Sequence, residues 1–161
     1  MEAVVFSDEY FMREAFKEAQ KAFEADEVPV GVVVVCNNKI IARAHNLTER
    51  LTDVTAHAEM QAITSAANYL NGKYLNECIL YVTLEPCLMC AGAISWAQLG
   101  KLVYGAADSK RGYSLLLQEP IPPSAHSITY KRILHPKTVV VKGILEEECS
   151  EIIKRFFQQK R

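Results

Sequence analysis

Apolar residues along this chain switch between a helical and a strand period, and the switches divide it into elements. Phe11, Ala15, Ala19, Ala22 and Phe23 recur on one helix face behind Ser7 and Asp8, either of which can cap it, and the pattern runs out near Asp26. Val30-Gly31-Val32-Val33-Val34-Val35-Cys36 is a continuous run that predicts a strand buried on both faces, and Asn37-Asn38 turns it back into Ile40-Ile41-Ala42-Arg43-Ala44. A polar stretch from Asn46 to Thr55 leads to a helix from about His57 to Leu70, with Met60, Ile63, Ala67 and Leu70 on its inner stripe. Cys78 to Leu84 reads as a strand, and Glu85-Pro86 opens a helix through about Ala97, because proline suits a first turn. Lys101 to Ala106 and Thr138 to Ile144 are further strands. Glu146 to Gln159 is a last helix with Cys149, Ile152, Ile153, Phe156 and Phe157 on one stripe. Between them, Asp108 to His135 carries Pro120, Pro122 and Pro123 without a clear period and predicts a long surface excursion. Strands alternating with helices predict an α/β fold with a largely parallel sheet covered on both faces. No repeat or linker interrupts the pattern, so residues 1–161 read as a single domain.

Composition narrows the possibilities. Half the residues are hydrophobic, and no apolar run approaches the roughly 20 residues that span a bilayer, so no membrane segment is expected. The start, Met1 to Glu9, is acidic and lacks the basic and apolar regions of an export signal, which points to a cytoplasmic protein. Five cysteines, two of them in Cys87-Leu88-Met89-Cys90, read as thiols and metal ligands and not as a disulfide framework. A net charge of −1 gives no whole-protein attraction for nucleic acid, so an RNA contact would need a local patch.

The chemistry is concentrated in two short segments, His57-Ala58-Glu59 and Pro86-Cys87-Leu88-Met89-Cys90. One imidazole and two thiolates can hold Zn2+ with a fourth position open, as a hydrolytic zinc requires. His57 opens one predicted helix; Cys87 and Cys90 share a face in the first turn of the next, so two positive helix ends would favour thiolates at one ion. Glu59 lies roughly 200° around the helix from His57, which suits a proton carrier better than a ligand of the same ion.

Plainer readings exist for each residue type. A lone His at a helix start is usually a cap or a surface residue, and a Cys-x-x-Cys pair can be a redox pair or half of a structural zinc site. A closed structural site would need a fourth ligand, and Cys36, Cys78, Cys149, His45, His126 and His135 are of suitable type. However, Cys36, Cys78 and Cys149 fall in apolar patterns where a small buried residue is expected. Phe156 and Phe157 read as core more readily than as a base-stacking platform, and Glu146-Glu147-Glu148 as favourable charge at a helix start.

The two segments together resemble the H-x-E…P-C-x-x-C signature of the zinc-dependent cytidine deaminase-like superfamily. Within it the chain is similar to the bacterial tRNA adenosine deaminases. The similarity is carried by Glu27-Val28-Pro29-Val30-Gly31, His45-Asn46, Thr55 to Glu59, Tyr81 to Cys87, Cys90-Ala91-Gly92-Ala93, Val103-Tyr104-Gly105-Ala106 and Phe156-Phe157. The resemblance implies a three-layer α/β/α fold with a central five-stranded mixed sheet, and a homodimer that converts the wobble adenosine of a tRNA anticodon stem-loop to inosine. It implies His57, Cys87 and Cys90 as zinc ligands, Glu59 as the catalytic proton carrier, Asn46 on the purine edge, and Val30 with the backbone near Ala58 and Pro86 around the base.

Two segments depart from that pattern. Ala93-Ile94-Ser95-Trp96 looks more like bacterial guanine deaminases, and Gly112 to Ile133 contains extra residues. A free-base deaminase acting on guanine or cytosine is therefore the alternative, and it would need a small closed pocket. The clustering of Lys110, Arg111, Lys131, Arg132, Lys137, Lys154, Arg155, Lys160 and Arg161 towards the carboxyl end favours RNA. A non-catalytic zinc module would leave Glu59 without a role.

Overall fold

The computed structural model describes residues 5–117 and 132–161. Ser7, and not Asp8, caps the first helix: its hydroxyl accepts the Tyr10 N–H at 3.1 Å, and α1 spans Asp8–Glu24. Asp8 instead accepts the Tyr81 hydroxyl at 2.8 Å and the Lys101 ammonium at 2.9 Å, tying the helix start to the sheet. The strands are β1 Gly31–Cys36, β2 Lys39–His45, β3 Cys78–Leu84, β4 Lys101–Ala106 and β5 Val139–Lys142. The remaining helices are α2 Ala58–Leu70, α3 Leu88–Ala97 and α4 Glu146–Gln159, and Tyr113–Leu117 forms a 3₁₀ turn.

The sheet is mixed, in the order β2-β1-β3-β4-β5, where the alternation of elements had predicted a largely parallel one. β3, β4 and β5 pair in parallel, whereas β1 is antiparallel to both of its neighbours. The cause is local. Asn37 and Asn38 both adopt positive φ (51° and 58°), the tight hairpin geometry that forces β1 to oppose β2. The β2–α2–β3 crossover then carries the chain over β1, so β2, β3 and β4 run the same way and end at the same edge.

Helices cover both faces. α2 and α3 pack with Val32, Val34, Leu80, Val82 and Leu102, while α1 and α4 pack with Val33, Val35, Tyr81 and Val103. Four expectations need correction here. On α2 the buried positions are Ala58, Glu59, Ala62 and Ala66; Met60 is half-buried and Leu70 is exposed, because small side chains let the helix sit close to the sheet and push the bulky ones to its flanks. α3 begins at Leu88 with Cys87 as its N-cap, so Pro86 precedes the helix instead of opening it. β5 is shorter and more exposed than expected, and Phe157 faces outward while Phe156 is buried. Lys131, His126 and the prolines 120, 122 and 123 lie outside the described residues, as do Met1 to Val4.

The tightest approach is at Gly31, where a Cβ would collide with the Ala15 carbonyl oxygen and the Ala19 nitrogen in the backbone of α1. Gly31→Ala is expected to cost about 3 kcal/mol or more, since backbone cannot rotate away as a side chain can. The shift of the urea unfolding midpoint measures it; a midpoint equal to that of the unsubstituted protein would contradict this packing.

Candidate active site

The carboxyl ends of β2, β3 and β4 and the amino ends of α2 and α3 meet at one edge of the sheet, where α/β sites form. His57 is the N-cap of α2 and Cys87 the N-cap of α3, and neither side chain makes the usual capping hydrogen bond. Both are left to face something else. The donor atoms of His57, Cys87 and Cys90 lie within 4.8 Å of one another, the one such group of three His, Cys or acidic residues among the described residues. His57 Nδ1 is 3.7 Å from Cys87 Sγ and 3.5 Å from Cys90 Sγ. A tetrahedral zinc, with bonds of about 2.3 Å to sulfur and 2.0–2.1 Å to nitrogen, has an S···N edge of roughly 3.6 Å, so the donor set fits the ion.

The electrostatics show what gathering these groups costs. The Cys87 thiol is drawn down to about 4, chiefly by a hydrogen bond from Cys90 and then by one from His57. Cys90 moves in the opposite direction, because its proton is held by Cys87 and it is buried. Glu59 is 4% exposed in the first turn of α2, next to the cluster of three but not a member of it. Burial, reinforced by the Cys87 charge, pushes its carboxyl up to about 7.

The other ligand types stay apart. Cys36 and Cys78 face each other across β1 and β3, Cys149 lies under Gly105, His45 meets the Glu18 carboxylate at 3.3 Å, and His135 accepts the Lys137 N–H at 3.2 Å. Burial pushes the Cys78 and Cys149 thiols up to about 12. None of these residues approaches the cluster as a fourth ligand.

The base-pocket residues behave less simply than the sequence implied. Asn46 is buried and its Oδ1 accepts the Ala58 N–H at 2.8 Å, which fixes the orientation of the amide and leaves its NH₂ group as a donor for a ligand. The Ala58 N–H is likewise committed. The Val30 carbonyl accepts the Asn46 N–H at 3.2 Å, and the Pro86 carbonyl accepts the Tyr113 N–H at 3.0 Å. Gln61, which sequence periodicity did not single out, donates to the carbonyls of His45 (2.9 Å) and Ala56 (3.1 Å) and braces the loop before His57. Trp96 is 84% exposed and roughly 9 Å along α3 from Cys90, so it does not line the base pocket of its own chain. Lys110, Arg111, Arg132, Lys137, Lys154, Arg155, Lys160 and Arg161 are all exposed; Lys160 pairs with Asp26 at 2.6 Å, and Arg155 covers the Phe23 ring at 5.3 Å.

A mixed five-stranded sheet between helix layers, with this cluster at its edge, defines a cytidine deaminase-like hydrolase. Residues 6–161 match the family model described as MafB19-like deaminase. The tRNA-specific adenosine deaminase of Bacillus subtilis (strain 168) is 46% identical over 96% of this chain and 91% of its own length. The chloroplastic tRNA(adenine(34)) deaminase of Arabidopsis thaliana is 45% identical over 94% of this chain, which spans only 12% of that longer protein. A solved structure from work on A-to-I editing by tRNA:A34 deaminases superposes with a TM-score of 0.73 at 41% identity, covering 89% of this chain and 98% of that one. The chain belongs to the tRNA-specific adenosine deaminase family.

The cluster generates a direct test. Purified protein should carry about one zinc per chain, and Cys87→Ala and Cys90→Ala should each lose most of it by elemental analysis. Full occupancy in both variants would rule out this centre.

Proposed function

We propose that this chain hydrolyses the exocyclic amine of the wobble adenosine in a tRNA anticodon stem-loop, leaving inosine and ammonia. The observation that carries the reading is the convergence of His57, Cys87 and Cys90 at two helix starts with the buried Glu59 carboxyl beside Cys90. His57, Cys87 and Cys90 would hold zinc, which when bound supplies the Lewis acidity that activates water near neutral pH. Glu59 takes one proton from the attacking water and delivers it to the ring nitrogen N1 beside C6, then takes the proton of the hydroxyl added at C6 and passes it to the amine, which leaves as ammonia while C6=O forms. The Asn46 NH₂ group donates to an acceptor on the purine edge, while Val30 and the backbone at Ala58 and Pro86 wall the base.

The relatives' names support the substrate, and the exposed cations support an RNA surface. The homodimer belongs to the same proposal, since exposed Trp96 and Leu88 give α3 an uncovered apolar face. So does the reading of residues 1–161 as one domain. No helix among the described residues is long and apolar enough to cross a membrane, which is compatible with the proposed cytoplasmic location.

Side-by-side assays on anticodon stem-loop, guanine, cytosine and cytidine test the reading. Deamination of guanine or cytosine by protein that leaves stem-loops unchanged would overturn it. Glu59→Gln should keep its zinc and its fold and lose about 10²- to 10⁴-fold in turnover, the usual contribution of a proton-transfer group. Turnover within a few-fold of the unsubstituted enzyme would assign proton transfer to another group. Replacing Arg132 and Arg155 should flatten the salt dependence of stem-loop binding by about one unit of slope for each phosphate no longer gripped. An unchanged slope would place the phosphates elsewhere.

A further inference from the structure

Glu18, Glu27 and Glu85 are as buried as Glu59; Glu18 pairs with Lys21 and His45 on the far side of β2, whereas the other two reach loops beside the cluster. Glu27, 1% exposed between α1 and β1, reaches into the loop that joins β2 to α2. Its Oε1 accepts the Arg50 N–H at 2.8 Å, and its Oε2 accepts the Glu49 N–H and the Thr48 hydroxyl, each at 3.2 Å. Glu85, 3% exposed at the end of β3, does the same for the loop after β4. Its Oε2 accepts the Asp108 N–H at 2.9 Å and its Oε1 accepts the Ser114 N–H at 3.1 Å.

Both loops adjoin the metal-ligand cluster. The first begins with Asn46 and ends with His57; the second lays Gly112 against Cys87 in a backbone bridge and ties Tyr113 to the Pro86 carbonyl. A Cβ on Gly112 would collide with the Glu85 carboxyl, so glycine and glutamate fit each other here. Burying a carboxylate is costly unless donors surround it, and donors facing a carboxylate are bound more tightly than those facing a neutral oxygen. A neutral side chain or water could satisfy loop amides; an anion rooted in the sheet edge also fixes where those amides sit. The same device appears once on each side of the cluster.

We propose that Glu27 and Glu85 are positioning residues that fix the two lips of the substrate mouth through backbone amides, and thereby set substrate affinity and not the chemical step. The proposal rests on the deaminase reading above for its substrate. Glu27→Gln and Glu85→Gln keep the shape, but the amide NH₂ must face at least one of the donors the carboxylate now accepts. With a tRNA anticodon stem-loop as substrate, each variant should raise KM about tenfold or more while kcat stays within about threefold, as expected when substrate binding weakens and the chemical step does not. Amide hydrogen exchange should show reduced protection at Glu49 and Arg50 in the first variant and at Asp108 and Ser114 in the second, with the other amides unchanged.

Deprotected amides with an unchanged KM would overturn the proposal, as would a fall in kcat at constant KM. Should either glutamine variant fail to fold, Thr48→Val removes one donor from Glu27 and Gly112→Ala crowds Glu85, and both should still raise KM; an unchanged KM in both would overturn the proposal. If the unsubstituted enzyme leaves stem-loops intact, it is the substrate reading that fails, and the exchange pattern still decides whether the carboxylates hold the loops.

Discussion

Everything at this site depends on bringing one imidazole, two sulfurs and a carboxylate together at the edge of a sheet. Two thiolates and a glutamate side by side repel one another, and burial strengthens that repulsion by removing water. The opposed shifts of Cys87 and Cys90 and the upward shift of Glu59 are the signature of that crowding. Two helix starts and a divalent cation are the natural counterweights. The fold supplies the helix starts through strand direction. Because β2, β3 and β4 run the same way, α2 and α3 begin at the same edge, and the fully buried Ala58, Ala62, Ala66 and Ala91 let them lie close to the sheet.

Three buried glutamates around one edge do different work because their partners differ. Glu27 accepts from two backbone N–H groups and a hydroxyl, and Glu85 from two backbone N–H groups, all of them in loops. Glu59 sits beside a cysteine sulfur, and its burial is not offset by such a shell. A carboxyl that holds no loop amides is free to serve as a proton carrier in the proposed reaction, whereas one that holds them cannot change partners without loosening the loop it anchors. Burial and residue type therefore do not separate a proton carrier from a loop anchor, whereas the hydrogen-bond inventory does.

That distinction also explains what could be read from the sequence. The bounds of strand β3 and helix α4 were legible residue for residue, because an uninterrupted apolar run of strand length and a Cys149-Ile152-Phe156 stripe leave no competing period. The clustering of His57, Cys87 and Cys90 was legible because their residue types are rare in combination and their spacing places them at helix starts. The phase of α2 was misread since Met60 and Leu70 outweighed three alanines, yet close packing favours the small residue. The hairpin of β1 and β2 was legible at Asn37-Asn38, but the antiparallel pairing of β1 with β3 and the anchoring by Glu27 and Glu85 were hidden in contacts to residues distant along the chain. Both anchors precede a proline closely, Pro29 and Pro86, but that spacing alone names no partner.

The committed amide of Asn46 has a consequence for how substrates are sorted. With Oδ1 held by the Ala58 N–H, the amide is fixed in orientation and its NH₂ group points its donors away from that bond. N3 and N7 are acceptors in adenine and guanine alike, and a fixed donor facing either of them favours neither base. A missing or added hydrogen-bond partner is what gives strong discrimination, and this position does not provide one between the two bases. Selection must then come from what surrounds the base, and the neighbouring backbone is already engaged: Ala58 with Asn46, the Val30 carbonyl with the Asn46 N–H, and the Pro86 carbonyl with Tyr113. The two loops beside the cluster are the remaining candidates. Their backbone is irregular and would wander without a strong tether, and a polynucleotide loop, unlike a free base, is large enough to touch both at once. Anchoring them to anions rooted in the sheet edge gives a small domain a mouth of fixed width, so a substrate that spans it can gain affinity the base alone could not supply.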